Sequence, residues 1–165
     1  MKNYYFSFLT FFVFLSLNSQ IKPLIINNNT NYAVHGRVGI YSTNNCNDYM
    51  YASIQGKIMP NSSVTYEKFE NTNLSVPPIT NYLSNGSVID YNDPLLASTG
   101  LISNNTDWGL IDLLLTDSSN NSSIDNFIIG VFKPSCGRKP LVLQYGTNST
   151  AEWIVYPTHH EVNIY

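Results

Sequence analysis

The chain is expected to fold as a single-domain, all-β antiparallel sandwich of about eight or nine strands. Three features lead there: a run of strict apolar alternation, short β-rich segments separated by turn residues, and two cysteines in a chain expected to be exported. Residues 1–19 are expected to carry the export signal. Lys2 gives a small positive n-region, Tyr4 to Leu17 an apolar and aromatic run, and Leu17-Asn18-Ser19 a small and polar end before Gln20. That run is shorter than the roughly 20 residues needed to span a bilayer, so residues 20–165 are expected to be a secreted domain without a transmembrane segment. Its destination is the medium, the cell surface or a periplasm.

The first elements follow from pattern. Leu24-Ile25-Ile26 is a short β-branched run, and Asn27 to Asn31 supply turn chemistry. Tyr32, Val34, Gly36, Val38 and Ile40 alternate with Ala33, His35, Arg37 and Gly39, the period-two mark of a half-buried strand. The domain is therefore expected to open with a hairpin. Further strands are expected at 49–58, 63–69, 87–91, 127–132, 141–145, 151–156 and 162–165. Turns separate them at Met59-Pro60-Asn61, Asn85-Gly86, Ser118 to Ser123, Lys133 to Pro140 and Gly146 to Asn148. Trp108 to Thr116 reads as either a buried strand or two helical turns. Its short length and its flanking Asn, Asp and Ser favour strand. Residues 70–85 and 92–107 are irregular and longer than a hairpin loop, the places where binding residues gather.

Cys46 and Cys136 are the two cysteines, and in an exported chain they are expected to pair. Such a bond would close a loop of some 90 residues and stabilise by about 4 to 5 kcal/mol in the chain-entropy model. Trp108 between two cysteines is similar to the arrangement in immunoglobulin domains. The cysteine spacing is longer, however, and Pro134 stands where their tyrosine corner needs Tyr. Residues 25–34 also resemble the first hairpin of thaumatin-like proteins, a family with many more cysteines. No role is carried over from either.

Composition narrows function. Charged residues make up 12% of the chain, and the net charge of −3 becomes −4 once Lys2 leaves, so a nucleic-acid partner is not expected. Asn alone is about an eighth of the residues. Asn28, Asn61, Asn73, Asn85, Asn104, Asn120, Asn121 and Asn148 begin N-x-[ST] triplets, which in a glycosylating host mark exposed loops.

Five constellations have the chemistry for a site. His159 and Glu161 share one face of an extended segment while His160 points away, which offers two metal ligands where a site needs more. Asp90 and Asp93 supply oxygen ligands, but Pro94 and Leu95 follow where a calcium loop turns on glycine. Lys133, Arg138 and Lys139 surround Cys136, an anion-binding or thiol-active turn if that cysteine were free. Glu67 or Glu70 could meet Asp112 or Glu152 as a glycosidase-like pair, although hydrolase motifs such as G-x-S-x-G and H-E-x-x-H are absent. The aromatic set of residues 20–165, ten Tyr, two Trp and three Phe, fits amphipathic contact surfaces.

These observations make the expected function that of a non-enzymatic recognition module for a surface glycan or an extracellular protein. Trp108, Tyr82 and Tyr91 are its candidate contact residues, and no cofactor is expected. Two alternatives remain open: a small hydrolase with spatially assembled carboxylates or the terminal His pair, and a membrane-active or assembly-forming β-sandwich.

Overall fold

The computed structural model describes residues 22–42, 48–67, 69, 77–97, 99–131 and 139–165. Cys46 and Cys136 lie outside them, as do Asn73, Glu70 and the basic residues Lys133 and Arg138.

The chain is all-β. Eleven strands are present among the described residues: β1 Leu24–Asn28, β2 Ala33–Ser42, β3 Asp48–Ile54, β4 Ser62–Tyr66, β5 Ile79–Leu83, β6 Val88–Ile89, β7 Thr106–Thr116, β8 Ser123–Gly130, β9 Leu143–Tyr145, β10 Thr150–Val155 and β11 His160–Ile164. One short helix, α1 Leu101–Asn105, interrupts the stretch expected to be irregular. The strands form two sheets, ordered β4-β1-β11-β10-β9 and β6-β5-β3-β2-β7-β8. Every pairing is antiparallel except β1 with β11, which is parallel.

Two expectations change. The opening hairpin does not form, because β1 and β2 belong to different sheets. The Asn-rich segment between them is a crossover organised by Asn28, whose amide donates to the carbonyls of Tyr32, Met59 and Ile58 at 2.8, 2.9 and 3.2 Å. The strand count also rises, partly because β5 lies inside the segment read as irregular. Its Ile79 and Asn81 point inward while Thr80 and Tyr82 alternate outward, and a strand that buries an Asn lacks the apolar alternation that pattern reading needs. Trp108 to Thr116 is strand, as its length and flanks indicate, and the Asn85-Gly86 turn forms between β5 and β6 with Gly86 at φ 84.

One apolar cluster draws on both sheets. Leu24, Ile26, Val64, Tyr66, Trp153, Val162 and Ile164 come from the first. Val34, Val38, Ile40, Met50, Ile111, Leu113, Leu115, Phe127 and Ile129 come from the second. Trp108 is 1% exposed and sits edge-on to Phe69, with ring centroids 4.5 Å apart.

Polar contacts also join the sheets. Gly130 and Leu141 exchange backbone hydrogen bonds of 2.8 and 3.0 Å. Beyond them Gln144 imitates a strand neighbour: its Oε1 accepts from Ile128 N and its Nε2 donates to Asn126 O, which caps the β8 edge. Deeper in, Trp153 Nε1 donates to His160 Nδ1 at 3.1 Å, and His160 Nε2 faces Asp107 Oδ2 of β7 at 3.3 Å. Indole nitrogen only donates, so His160 Nδ1 is the acceptor and the ring proton sits on Nε2, aimed at the carboxylate. No helix among the described residues is long and apolar enough to cross a membrane.

Candidate functional site

Alternation gives each sheet one face turned away from the core, and the two outer faces differ in kind. On the five-stranded sheet, register places Ser63, Asn27, Asn163, Glu152 and the exposed Leu143 in one transverse row, with Tyr145 beyond it on β9. The polar groups around Asn27 are bonded to each other. Ser63 Oγ donates to Asn27 Oδ1 at 2.6 Å, and Asn27 Nδ2 donates to Asn163 Oδ1 at 2.9 Å and Glu161 Oε1 at 3.1 Å.

The six-stranded sheet carries two rows of another character. Leu110, Gly39, Tyr51, Tyr82 and Val88 are cross-strand neighbours in one, and Ile128, Asp112, Arg37, Ser53 and Thr80 in the next. The Tyr51 and Tyr82 rings stack at 4.9 Å with planes 9° apart, and the Arg37 guanidinium carbon lies 5.8 Å from the Tyr51 centroid. Arg37 also binds Asp112 Oδ2 through both Nη2 at 2.9 Å and Nε at 3.1 Å. Both donors land on a single oxygen, so the guanidinium meets the carboxylate by its Nε–Nη2 edge and Nη1 lies on the side turned away from it. The rings of the Tyr pair stand as a ridge between Arg37 and Val88, so they offer solvent their edges and hydroxyls.

Glycines shape the floor. Gly36 has φ +149, and a Cβ there would lie 2.1 Å from the Asp112 backbone oxygen, so β2 can approach β7 this closely only with glycine. Gly109 is the extra residue where the β2–β7 register shifts, and an edge of the Tyr41 ring fills the space its side chain would take. Two open depressions result, one on each side of Arg37. The first, about 300 Å³, is walled by Tyr41, Tyr51, Met50, Leu110 and Ser84. The second, about 310 Å³, is lined by His35, Gly36, Ser53, Asp112 and Leu114. Burial, with the charge of Lys57 adding to it, holds the His35 imidazole below its ordinary value, so the ring is neutral at pH 7.

The residues singled out from sequence do not converge. Trp108 belongs to the core, its indole N–H donating to Lys22 O at 2.7 Å; a ring so enclosed presents no face to a ligand. Tyr82 lies on the ridge. Tyr91 is 41% exposed in the turn after β6, beside a separate depression of about 250 Å³ lined by Pro78, Thr80, Val88 and Asp90.

Asp90 and Asp93 each cap their own turn, accepting from Asn92 N at 3.1 Å and Leu95 N at 2.8 Å. His159 and Glu161 do share a face, 3.6 Å apart, with His159 stacked on Tyr156, whereas His160 turns into the core. Among the described residues no group of three or more His, Cys, Asp or Glu gathers as metal ligands would. Of the carboxylate pairs considered from sequence, Glu70 lies outside the described residues, and Glu67 follows β4, with β1 and β11 between it and Glu152 on β10 and with Asp112 on the other sheet.

Arg37, Tyr41 and the glycine floor were not among the residues singled out, and Asp112 was named only as half of a carboxylate pair. Their one available signal was Arg37 in the clearest alternating strand, at a position facing away from the core. Comparison with protein-family models, with curated proteins and with solved structures finds no match to this chain.

Proposed function

We propose that the protein is an exported, non-enzymatic recognition module, a β-sandwich whose contact surface is the outer face of the six-stranded sheet. The observation that carries this reading is the contrast between the two outer faces. One is centred on Asn27, bonded to Ser63, Asn163 and Glu161, with Leu143 and Tyr145 at its β9 edge. The other sets Tyr51, Tyr82 and Arg37 among half-exposed aliphatics, and Tyr and Arg are the residue types that dominate contact energy at binding surfaces. Supporting the sandwich are the shared apolar cluster and the Gly130–Leu141 junction.

A Cys46–Cys136 disulfide belongs to the same reading. Its flanks support it: β2 ends at Ser42 and β8 at Gly130, and both ends leave the same end of the six-stranded sheet with only β7 between them. That separation is about 10 Å across the strands. In the secreted protein both thiols are expected to alkylate only after reduction; alkylation of either one beforehand removes the bond.

The contact surface is tested by probing glycan and extracellular-protein arrays with the protein and two double variants. Tyr51→Ala/Tyr82→Ala is expected to weaken binding at least tenfold, while Asn27→Ala/Ser63→Ala on the opposite face leaves it within twofold. The reverse pattern, or equal retention by both, overturns the assignment.

A further inference from the structure

We propose that Trp153, His160 and Asp107 form an acid-responsive switch in the core: protonation of His160 breaks its bond to Trp153 and turns its contact with Asp107 of the other sheet into an ion pair. The switch stands apart from the reading of the six-stranded face as a contact surface. His160 lies on β11 and is 3% exposed. Its two ring nitrogens do different work. Nδ1 accepts the Trp153 indole N–H at 3.1 Å, and Nε2 meets Asp107 Oδ2 at 3.3 Å. Both contacts are made at once only by a neutral ring with its proton on Nε2, because an indole nitrogen donates and does not accept.

A second ring proton can land only on Nδ1, the position that holds the free lone pair. Nδ1–H then faces the Trp153 N–H donor to donor, and two buried donors are left without an acceptor. On the other side of the ring the charge has the opposite effect, since an imidazolium N–H bonds a carboxylate more strongly than a neutral one does. Acid therefore exchanges a contact between β10 and β11 for a firmer hold on β7. Among the described residues Asp107 is the one charged side chain that the ring meets. From β1 and β10 its register partners are Leu24 and Val155, and the Pro23 carbonyl accepts its backbone N–H. Tyr66 of β4 stands beyond Leu24 and gives its hydroxyl to Pro77 O. Lys22 sends its ammonium to Tyr156 O, and His159 and Glu161 pair with each other on the opposite face of β11. No cation in this set opposes the charging of the ring, and one carboxylate favours it.

The test is a titration of the isotope-labelled secreted protein from about pH 8 to about pH 4, a span that brackets the ordinary histidine range, followed at its two indole N–H signals and at the histidine ring nitrogens. The Trp153 indole is expected to shift in one step that coincides with protonation of His160, and to exchange faster with water after it. The Trp108 indole, which donates to Lys22 O at 2.7 Å, is expected to stay in place. His160→Gln should abolish the step and His159→Gln should leave it. Asp107→Asn should move it to lower pH, since the carboxylate that favours the imidazolium is gone. A Trp153 signal that is unmoved while the His160 ring titrates, a ring that stays neutral until the protein unfolds, or a step that survives His160→Gln overturns the proposal. Simultaneous loss of both indole signals overturns it as well, because that is unfolding and not a switch. Should His160→Gln fail to fold, the coincidence of the Trp153 step with the His160 ring nitrogens in the unaltered protein decides the matter.

Discussion

Replacing Asn28 with Ala is expected to cost about 2 to 3 kcal/mol, since it removes a fully buried amide bonded through both its nitrogen and its oxygen. The residue is fully buried, and its amide donates to the carbonyls of Tyr32, Ile58 and Met59, which also accept from Thr30 Oγ1, Val34 N and Ser62 Oγ respectively. Its Oδ1 accepts from Thr30 N at 3.2 Å and Thr30 Oγ1 at 2.7 Å. Truncation leaves each of these carbonyls with a single donor and takes the acceptor away from Thr30, so part of their desolvation cost is felt. The crossover from the five-stranded to the six-stranded sheet is held by this side chain together with Thr30, so both sheets feel the loss. Urea unfolding should show it as a lower midpoint with an unchanged slope, and the melting temperature should fall by roughly 4 to 12 °C. A loss below 1 kcal/mol would mean that the crossover is held by something other than Asn28. The same burial removes Asn28 from the N-x-[ST] positions expected to mark exposed loops, whereas Asn61, Asn85, Asn120, Asn121 and Asn148 are exposed as that expectation requires.

Fold class was legible because alternation is a local signal. Val34, Val38 and Ile40 turn to the core and Arg37 and Tyr41 away from it, a division readable from β2 alone. Which sheet a strand joins is not local. Nothing in Leu24-Ile25-Ile26 announces that its partners are β11 in parallel and β4, residues more than 130 and about 40 positions away. The candidate site suffered from the same limit. Tyr51 and Tyr82, or Arg37 and Asp112, become neighbours only through register across strands, and the trough between them exists because Gly36 and Gly39 add no side chain. Trp108 was misplaced for the opposite reason: a polar loop before a Trp reads as exposure, whereas Asp107 turns toward His160 and the indole follows the core-facing parity of β7.

Removing the Asp125 carboxylate is expected to cost about 2 to 4 kcal/mol at neutral pH, since buried charge-assisted hydrogen bonds are among the strongest a protein makes. Asp125 stands on β8 and is 8% exposed. It accepts from Thr147 N at 2.7 Å, Asn148 N at 2.9 Å and Ser149 Oγ at 2.6 Å, and so fastens the β9–β10 turn of one sheet to a strand of the other. Burial pushes its pKa up, but the Ser149 hydroxyl and the backbone N–H groups of Thr147, Asn148 and Ser149 outweigh it and hold the carboxyl below its ordinary value. With the folded value depressed, the stabilisation is complete above the unfolded value, near 4, and drains away as pH falls through the folded one. The stability gap between the protein and Asp125→Asn should therefore be level from about pH 7 to pH 5 and narrow below about pH 4. Asp117, also held low by Ser119, is present in both proteins and cancels from the difference. Urea unfolding at each pH gives the gap directly. A gap as wide at pH 3 as at pH 7 would show that the two acceptor oxygens, not their charge, fasten the turn, since Asn fills the same space but sets an amide donor where one of them accepts.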